Sequence, residues 1–333
     1  MSKKILGVEI GSFRMKLADC TDADNGKIHV VDVPDNLVQG NKIVSWDAMA
    51  EFIKETVRAN KIMAKDVAIS IPKDQVFTKR VTMPAMTRDQ LKINLPFEFH
   101  DYITEDKDKY VYDYAVIDKP VDSEGKIIEM ELLAVAAEKQ LIENYKVMFR
   151  RGGLKLCVIA PEFSALRNII REHDDSLEIS GQGDYAVVDL GHNSVEMHFF
   201  DKGEYEITRV METGMKEIDE YIAESMDVDR HIANMYKESN KEGILESDGC
   251  IEIYNRIAVE AMRVINFYDF NHPDNNIDKI YCCGGGAMVP GILRAIASNT
   301  GMEAAKINEL FETEYGDEYF VLEGALALGI TQE

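Results

Sequence analysis

The chain has 333 residues, enough for about two domains at roughly 150 residues each. Hydrophobic residues make up 46% and charged residues 29%, with only 8 prolines, so a large core is available and disorder is excluded as the main state. Against 60 Asp and Glu stand 37 Lys and Arg, a formal charge of −23, which argues against nucleic acid or an anionic membrane surface as a direct partner. The densest basic cluster, Arg150, Arg151 and Lys155, reads as a solvated helix end.

In chain order, residues 5–10 are mostly apolar, 15–19 alternate, and 27–33 follow a turn rich in Asp, Asn and Gly, which together predict a three-stranded meander. Ser45 is placed to cap a helix with Trp46, Met49, Ile53 and Val57 on one face, and 67–71 returns as a strand. A strand at 76–81 leads to Thr87-Arg88-Asp89-Gln90, the pattern of a capping box, which opens a helix toward Tyr102 that Pro96 must kink or shorten. Strands at 110–118 and 127–137, a helix at 138–151 stopped by Gly152 and Gly153, and a strand at 154–159 follow. Ser180-Gly181-Gln182-Gly183 reads as a boundary. Beyond it, 185–189, 194–200 and 205–210 repeat the opening meander, and helices are predicted at 215–225, 228–239 and 250–268. A strand at 279–283 then runs into Gly284, Gly285 and Gly286 and a helix starting near Pro290.

The five cysteines, Cys20, Cys157, Cys250, Cys282 and Cys283, are odd in number and nowhere spaced C-x-x-C, the usage of a reduced cytosolic chain without a disulfide scaffold or zinc site. The apolar stretch at the N-terminus breaks at Glu9, too early for a secretory signal, and no run approaches the roughly 18 apolar residues of a spanning helix. The last residues, Gly329 to Glu333, offer no amphipathic membrane-binding tail.

The two meanders superimpose in sequence. Val8-Glu9-Ile10-Gly11-Ser12 matches Val188-Asp189-Leu190-Gly191-His192 at an offset of 180 residues: strand, acid, one apolar residue, then glycine at the turn. Glycine after a strand lets backbone N–H groups approach an anion, and an acid beside it suits a Mg²⁺ held through its waters. Two such hairpins facing each other would clamp the phosphates of a nucleotide, with Glu9 and Asp189 at the metal, Lys16 reaching a phosphate, and Gly284–Gly286 leaving room for the adenosine. Acid-x-Gly alone is a weak signal, and an ordinary hairpin turn explains any single copy. The order of all the parts is far more specific.

Residues 9–17, 187–194 and 281–292 (YCCGGGAMVPGI) resemble the phosphate-1, phosphate-2 and adenosine motifs of the actin/Hsp70/sugar-kinase superfamily. Residues 70–103 and the closing helix at 323–330 resemble the branch that holds the cell-division protein FtsA and the type IV pilus assembly protein PilM. The resemblance implies an α/β fold of duplicated actin-like (ribonuclease H-like) domains flanking an ATP cleft, with an inserted FtsA-type 1C subdomain (the SHS2 domain). It divides the chain into subdomain 1A at 1–75, 1C at 76–153, 1A again at 154–180, 2A at 181–214, 2B at 215–270, 2A again at 271–310, and a return to 1A at 311–333.

It further implies ATP and Mg²⁺ as ligands, with Gly11, Ser12, Phe13 and Lys16 in phosphate 1 and Gly191, His192 and Asn193 in phosphate 2. Gly214 marks the entry to 2B, Lys237 approaches the ribose or adenine, and Gly284, Gly285, Gly286 and Met288 belong to the adenosine motif. Three departures stand out. Asn234 replaces the ribose-binding glutamate, and His192 with Asn193 replaces the second glycine of phosphate 2. Relatives that hydrolyse ATP place a Glu or Gln after the strand at 154–159 to orient water, whereas here Pro161 falls at that place and Glu162, the candidate catalytic residue, is displaced by one. Weak or absent turnover is the expectation.

The function implied is a cytoplasmic ATP-binding scaffold of a type IV pilus, competence or secretion platform. It would bind the N-terminal cytoplasmic tail of a PilN-like bitopic membrane protein and sit at the inner face of the membrane through that partner, with no insertion of its own. Contacts with pilus motor ATPases and self-association stay open. Two alternatives compete: an FtsA-like division filament protein, and a small-molecule kinase, which would need a base in the cleft.

Overall fold

The computed structural model describes residues 5–19 and 27–310. The turn at 21–26, Cys20, and the expected return to 1A at 311–333 with its helix at 323–330 lie outside the described residues.

The chain opens with β1 (Ile5–Ile10), β2 (Arg14–Asp19) and β3 (Lys27–Asp32), then a two-residue ladder of β4 (Val38–Gln39) and β5 (Lys42–Ile43). Helix α1 (Trp46–Ala59) starts at Ser45, whose hydroxyl accepts from the Ala48 N–H at 3.4 Å, and it buries Met49, Ile53 and Val57. After β6 (Asp66–Ile71), β7 (Phe77–Pro84) leads to α2 (Arg88–Asn94). Both arms of the capping box form: Thr87 Oγ1 accepts from Gln90 N–H, and Gln90 Oε1 accepts from Thr87 N–H. Proline at 96 cannot donate to the preceding turn, so α2 stops at Asn94 and a 3-10 turn, Leu95–Phe99, takes over in place of a helix to Tyr102.

Strands β8 (Tyr110–Asp118) and β9 (Glu129–Glu138), helix α3 (Lys139–Arg151), strand β10 (Lys155–Pro161) and helix α4 (Glu162–Ser176) complete the first half. The second half runs β11 (Tyr185–Leu190), β12 (Val195–Asp201), β13 (Glu204–Met211), α5 (Lys216–Met226), α6 (Arg230–Ser239), α7 (Asp248–Asn271), β14 (Lys279–Cys283), α8 (Pro290–Thr300) and β15 (Glu303–Lys306).

Two five-stranded sheets share one design. The first has the order β10-β6-β1-β2-β3 and the second β15-β14-β11-β12-β13. In each, the meander is antiparallel and the two strands beyond it are parallel. The repeat read from the sequence is thus a repeat of topology. A third sheet, β7-β9-β8, is antiparallel throughout and is covered by α2. Three apolar cores follow: one under the first sheet (Leu6, Val8, Leu17, Ile53, Phe149), one in the three-stranded unit (Leu91, Leu95, Phe99, Leu132), and the largest around the second sheet. Helix α4 joins the halves, packing on β6 and β10 of the first sheet and on β13 of the second. Cys157 and the buried Cys250, Cys282 and Cys283 form no disulfide among the described residues. No helix among the described residues is long and apolar enough to cross a membrane.

Candidate functional site

Each five-stranded sheet ends its first hairpin in the same turn. The Gly11 N–H donates to the Arg14 carbonyl at 3.0 Å, and a side chain on Gly11 would press on that oxygen at 2.8 Å. At Gly191 the corresponding oxygen is that of Ser194, again at 2.8 Å. Glycine is required at both turns because the chain folds back on itself too closely for a Cβ. The Gly11 N–H is spent on the turn, so Gly11 itself shapes the hairpin.

The two turns face one cavity of about 150 Å³ between the sheets. Of the residues singled out by sequence, Glu9, Gly11, Ser12, Phe13, Lys16, Glu162, Asp189, Gly191, His192, Asn193, Lys237, Gly284 and Gly285 line it. Gly214, Gly286 and Met288 do not. Gly214 packs against the backbone of His192 and Asn193 and sits where the Met215 and Lys216 N–H groups donate to Gly191 and His192 carbonyls, so it braces the turn from behind. Gly286 is buried against Leu190 and Met215, and Met288 faces outward at 43% exposure. The 3-10 turn Gly285–Met288 rotates these two positions away from the cavity that Gly284 and Gly285 reach.

Electrostatics differ between the hairpins. Lys16 Nζ sits 2.5 Å from Glu9 Oε1, both side chains nearly buried. Burial raises the Glu9 carboxyl while Lys16 pulls it down and Asp189 pushes it up, for a net rise. The offset of 180 residues that maps Glu9 onto Asp189 maps Lys16 onto Glu196, a cavity residue that the sequence reading passed over. Burial, with Asp189 opposite, pushes Glu196 up to about 7, against a smaller lowering by Lys73. The outer oxygens Glu9 Oε2 and Glu196 Oε2 are buried without a hydrogen-bond partner among the described residues. No three His, Cys, Asp or Glu side chains there are gathered as direct metal ligands.

His192 sits at the tip of the second hairpin as a neutral ring. Burial, only partly offset by Asp219 with Oδ2 at 3.7 Å, lowers its pKa to about 4, so the ring is neutral at neutral pH. It stacks on Phe13, ring centres 4.8 Å apart, tip of one hairpin against tip of the other. Lys237 is held by the buried Asp219 at 2.7 Å, and Asn234 Nδ2 donates to the same carboxylate at 3.4 Å. Further contacts link the first half to the second: Asn193 Nδ2 donates to the Gly40 carbonyl at 3.1 Å, Asp35 pairs with Arg230 and His231, and Arg14 reaches Asn234 and Glu238. Asp219 and Arg14 were missed as well. Neither carries a local signal beyond an acid on the apolar face of α5 and a cation next to a glycine turn.

The family model described as type IV pilus assembly protein PilM matches residues 7–320. The chain belongs to the PilM family. Among solved structures, a PilM-PilN type IV pilus biogenesis complex is similar at 20% identity and TM-score 0.79, covering 98% of this chain and 97% of that one. The ethanolamine utilization protein EutJ from Carboxydothermus hydrogenoformans is similar at 16% identity and TM-score 0.59, over 98% and 88%. MreB 5 of Spiroplasma citri bound to AMPPNP is similar at 11% identity and TM-score 0.52, over 97% and 95%. No curated protein matches. At these identities the structural likenesses show the fold, an actin-like α/β fold, and the PilM family match places the chain in type IV pilus assembly.

Proposed function

We propose that this PilM-family chain binds ATP with Mg²⁺ between its two hairpins and uses the nucleotide to set how it holds the cytoplasmic tail of a PilN-like bitopic membrane protein. The cavity faced by both glycine turns carries the reading: it gathers residues from two segments 180 apart into one place. The residues suit the group. The turns present bare backbone to phosphates, and the two orphaned carboxylate oxygens of Glu9 and Glu196 would be satisfied by the waters of a divalent cation, with Asp189 between them. The metal would neutralise phosphate charge beside these acids. Ser12, Phe13, His192 and Asn193 would meet the phosphate chain, and Gly284 and Gly285 would leave space for the base.

Glu162 begins α4 at the cavity wall, close enough to face a phosphate, yet it remains one position past the usual place of the water-orienting acid. Slow or absent hydrolysis suits a scaffold that reads occupancy rather than turnover. In this reading the subdomain boundaries are those drawn from the sequence, and the tail lies in the groove between 1A and the inserted 1C unit β7–α2–β8–β9. The protein then sits on the cytoplasmic side of the membrane through its partner. AMPPNP in the MreB 5 structure and PilN in the PilM-PilN complex support the two halves of the proposal by analogy.

Affinity capture from solubilised membranes of the source cell, with and without Mg-ATP, tests it. The expected result is a small bitopic protein with a short cytoplasmic N-terminus, recovered in nucleotide-dependent amount. Capture of a tubulin-like division protein, or measurable phosphate transfer to a small molecule with no membrane partner, would move the assignment to the filament or kinase alternative.

A further inference from the structure

Among the described residues three cations line the cavity, Arg14, Lys16 and Lys237, and each is held by an acid. Lys16 and Lys237 have buried partners within their own half of the molecule, with Glu9 at 12% and Asp219 at 5% exposure. Arg14 is different. Its guanidinium leaves β2, keeps one contact to Asp32 Oδ1 at 3.2 Å, and crosses to α6, where it donates to Asn234 Oδ1 at 3.2 Å and pairs with Glu238. Glu238 is 48% exposed and Asp32 69%. Ion pairs this wet contribute little, so the crossing is easily exchanged.

The space is also tight. About 150 Å³ is below the roughly 300–1,000 Å³ of a small-molecule site, and Arg14 spans part of it. A phosphate chain entering the cavity meets four carboxylates, those of Glu9, Glu162, Asp189 and Glu196. A planar, bidentate donor on a weak tether is the group such a ligand would draw away, because a guanidinium fork matches phosphate oxygens as well as carboxylate ones.

We propose that Arg14 is a switching phosphate ligand: Glu238 and a nucleotide phosphate compete for its guanidinium, and transfer to the phosphate both opens the Arg14–α6 strap and releases the Asn234 Oδ1, whose Nδ2 stays on Asp219. This rests on the nucleotide reading of the cavity and adds to it a residue and a competitor on opposite sides of the sheet-to-helix gap.

The test is the sign of two substitutions. Binding of a fluorescent Mg-ATP analogue to the full chain is titrated for the parent, Glu238→Gln and Arg14→Gln, with Arg14→Lys as a milder variant and thermal melts as the fold control. Removing the competitor tightens binding about three- to tenfold, whereas removing the ligand weakens it roughly tenfold or more. Arg14→Lys falls between parent and Arg14→Gln, and adenosine without phosphates is bound equally by parent and Arg14→Gln. Tightening in both substitutions would make Arg14 a strap only, and no change in either would make it a surface pair; each overturns the proposal. Weakening in both overturns it too. If the parent itself binds no nucleotide, the reading of the cavity falls and this proposal with it, an outcome visible before any variant is compared.

Discussion

Asp189 faces Glu196 across β11 and β12 at the register position where Glu9 faces Lys16 across β1 and β2. One hairpin closes on an ion pair and its copy closes on two acids. With no cation in the Lys16 position, burial and Asp189 together hold Glu196 protonated up to about pH 7.

The sign of the resulting pH dependence follows from linkage. The folded Glu196 carboxyl titrates near 7, above its ordinary 4.5, so between those values the native state binds more protons than the unfolded chain and stability falls as pH rises. Glu196→Gln keeps the shape and removes the charge. It is expected to stabilise the protein by roughly 1–3 kcal/mol at pH 8 and by nearly nothing at pH 4.5. Urea denaturation of parent and variant at the two pH values, in chelator to exclude divalent cations, reads this directly; an equal gain at both would refute the raised carboxyl that burial and Asp189 produce.

The turn glycines make a second prediction. A side chain at Gly191 meets the Ser194 carbonyl at 2.8 Å, and backbone cannot step aside as a flexible side chain could. Gly191→Val is expected to displace the hairpin tip, to cost about 1–3 kcal/mol of stability, and to abolish retention of Mg-ATP. Gly11→Val acts in the same way on Arg14 and is expected to weaken partner-tail binding along with nucleotide retention. Nucleotide retention by gel filtration and tail-peptide affinity by calorimetry are the readouts. Tail affinity that stays at the parent level in a variant that has lost nucleotide would separate the two functions.

Much of this architecture is written locally. Alternating apolar residues, the Thr87–Gln90 box, and the Pro96 stop are decided within a few residues, and β14 (Lys279–Cys283) ends where its apolar run does, at Cys283 before the glycines. The paired acid-x-Gly turns were legible because a duplicated domain repeats its spacing. What stayed hidden depends on contacts across the fold. Arg14 meets Asn234 at a separation of 220 residues, and no spacing rule links them. Glu196 was within reach of the same offset that revealed Asp189, but a lysine and a glutamate do not look alike, and a repeat is easiest to see where residues are conserved in kind. Strand β15, Glu-Ala-Ala-Lys, has no β-branched residue and is a strand only because the β14 edge is there to pair with it. Three consecutive glycines read alike in sequence, and only the turn geometry after Gly284 tells which of them reach the cavity.

His198 predicts acid sensitivity of the second half. The ring is fully buried, with Nδ1 2.8 Å from Thr208 Oγ1, and burial lowers its pKa to about 3 from 6.5. The unfolded chain takes a proton below pH 6.5 that the folded ring refuses, so this stability is complete above 6.5 and drains as pH falls toward 3. At pH 5 the loss from His198 alone is about 2 kcal/mol. His192, lowered to about 4 by burial, adds in the same direction. His198→Asn is expected to lower stability at pH 7.5 but to flatten its decline between pH 7 and 5, as measured by thermal melts; an unchanged slope would place the acid sensitivity elsewhere.

Besides the apolar contact of Leu133, Val135 and Ile117 with the core of the second half, two polar links tie the three-stranded unit and its entry to the second sheet, and both are open to test. Arg80 on β7 pairs with Glu206 on β13, and Lys73, at the entry to that unit, donates to the Thr208 carbonyl at 2.6 Å. Strand β13 continues the meander whose first turn is Gly191, so these two side chains give a displacement of the unit that carries β7 a polar route to the cavity. Arg80→Gln removes one link while leaving the core of the unit, Leu91, Leu95 and Phe99, untouched. The expected outcome is a small loss of global stability, about 1 kcal/mol, since both partners are only partly buried. Amide exchange should quicken in β13 and in the Gly191 turn, with β8 and β9 unchanged. If exchange quickens throughout the three-stranded sheet and β13 stays protected, Arg80 stabilises its own sheet through Glu131, 3.3 Å away, and Lys73 alone carries the link.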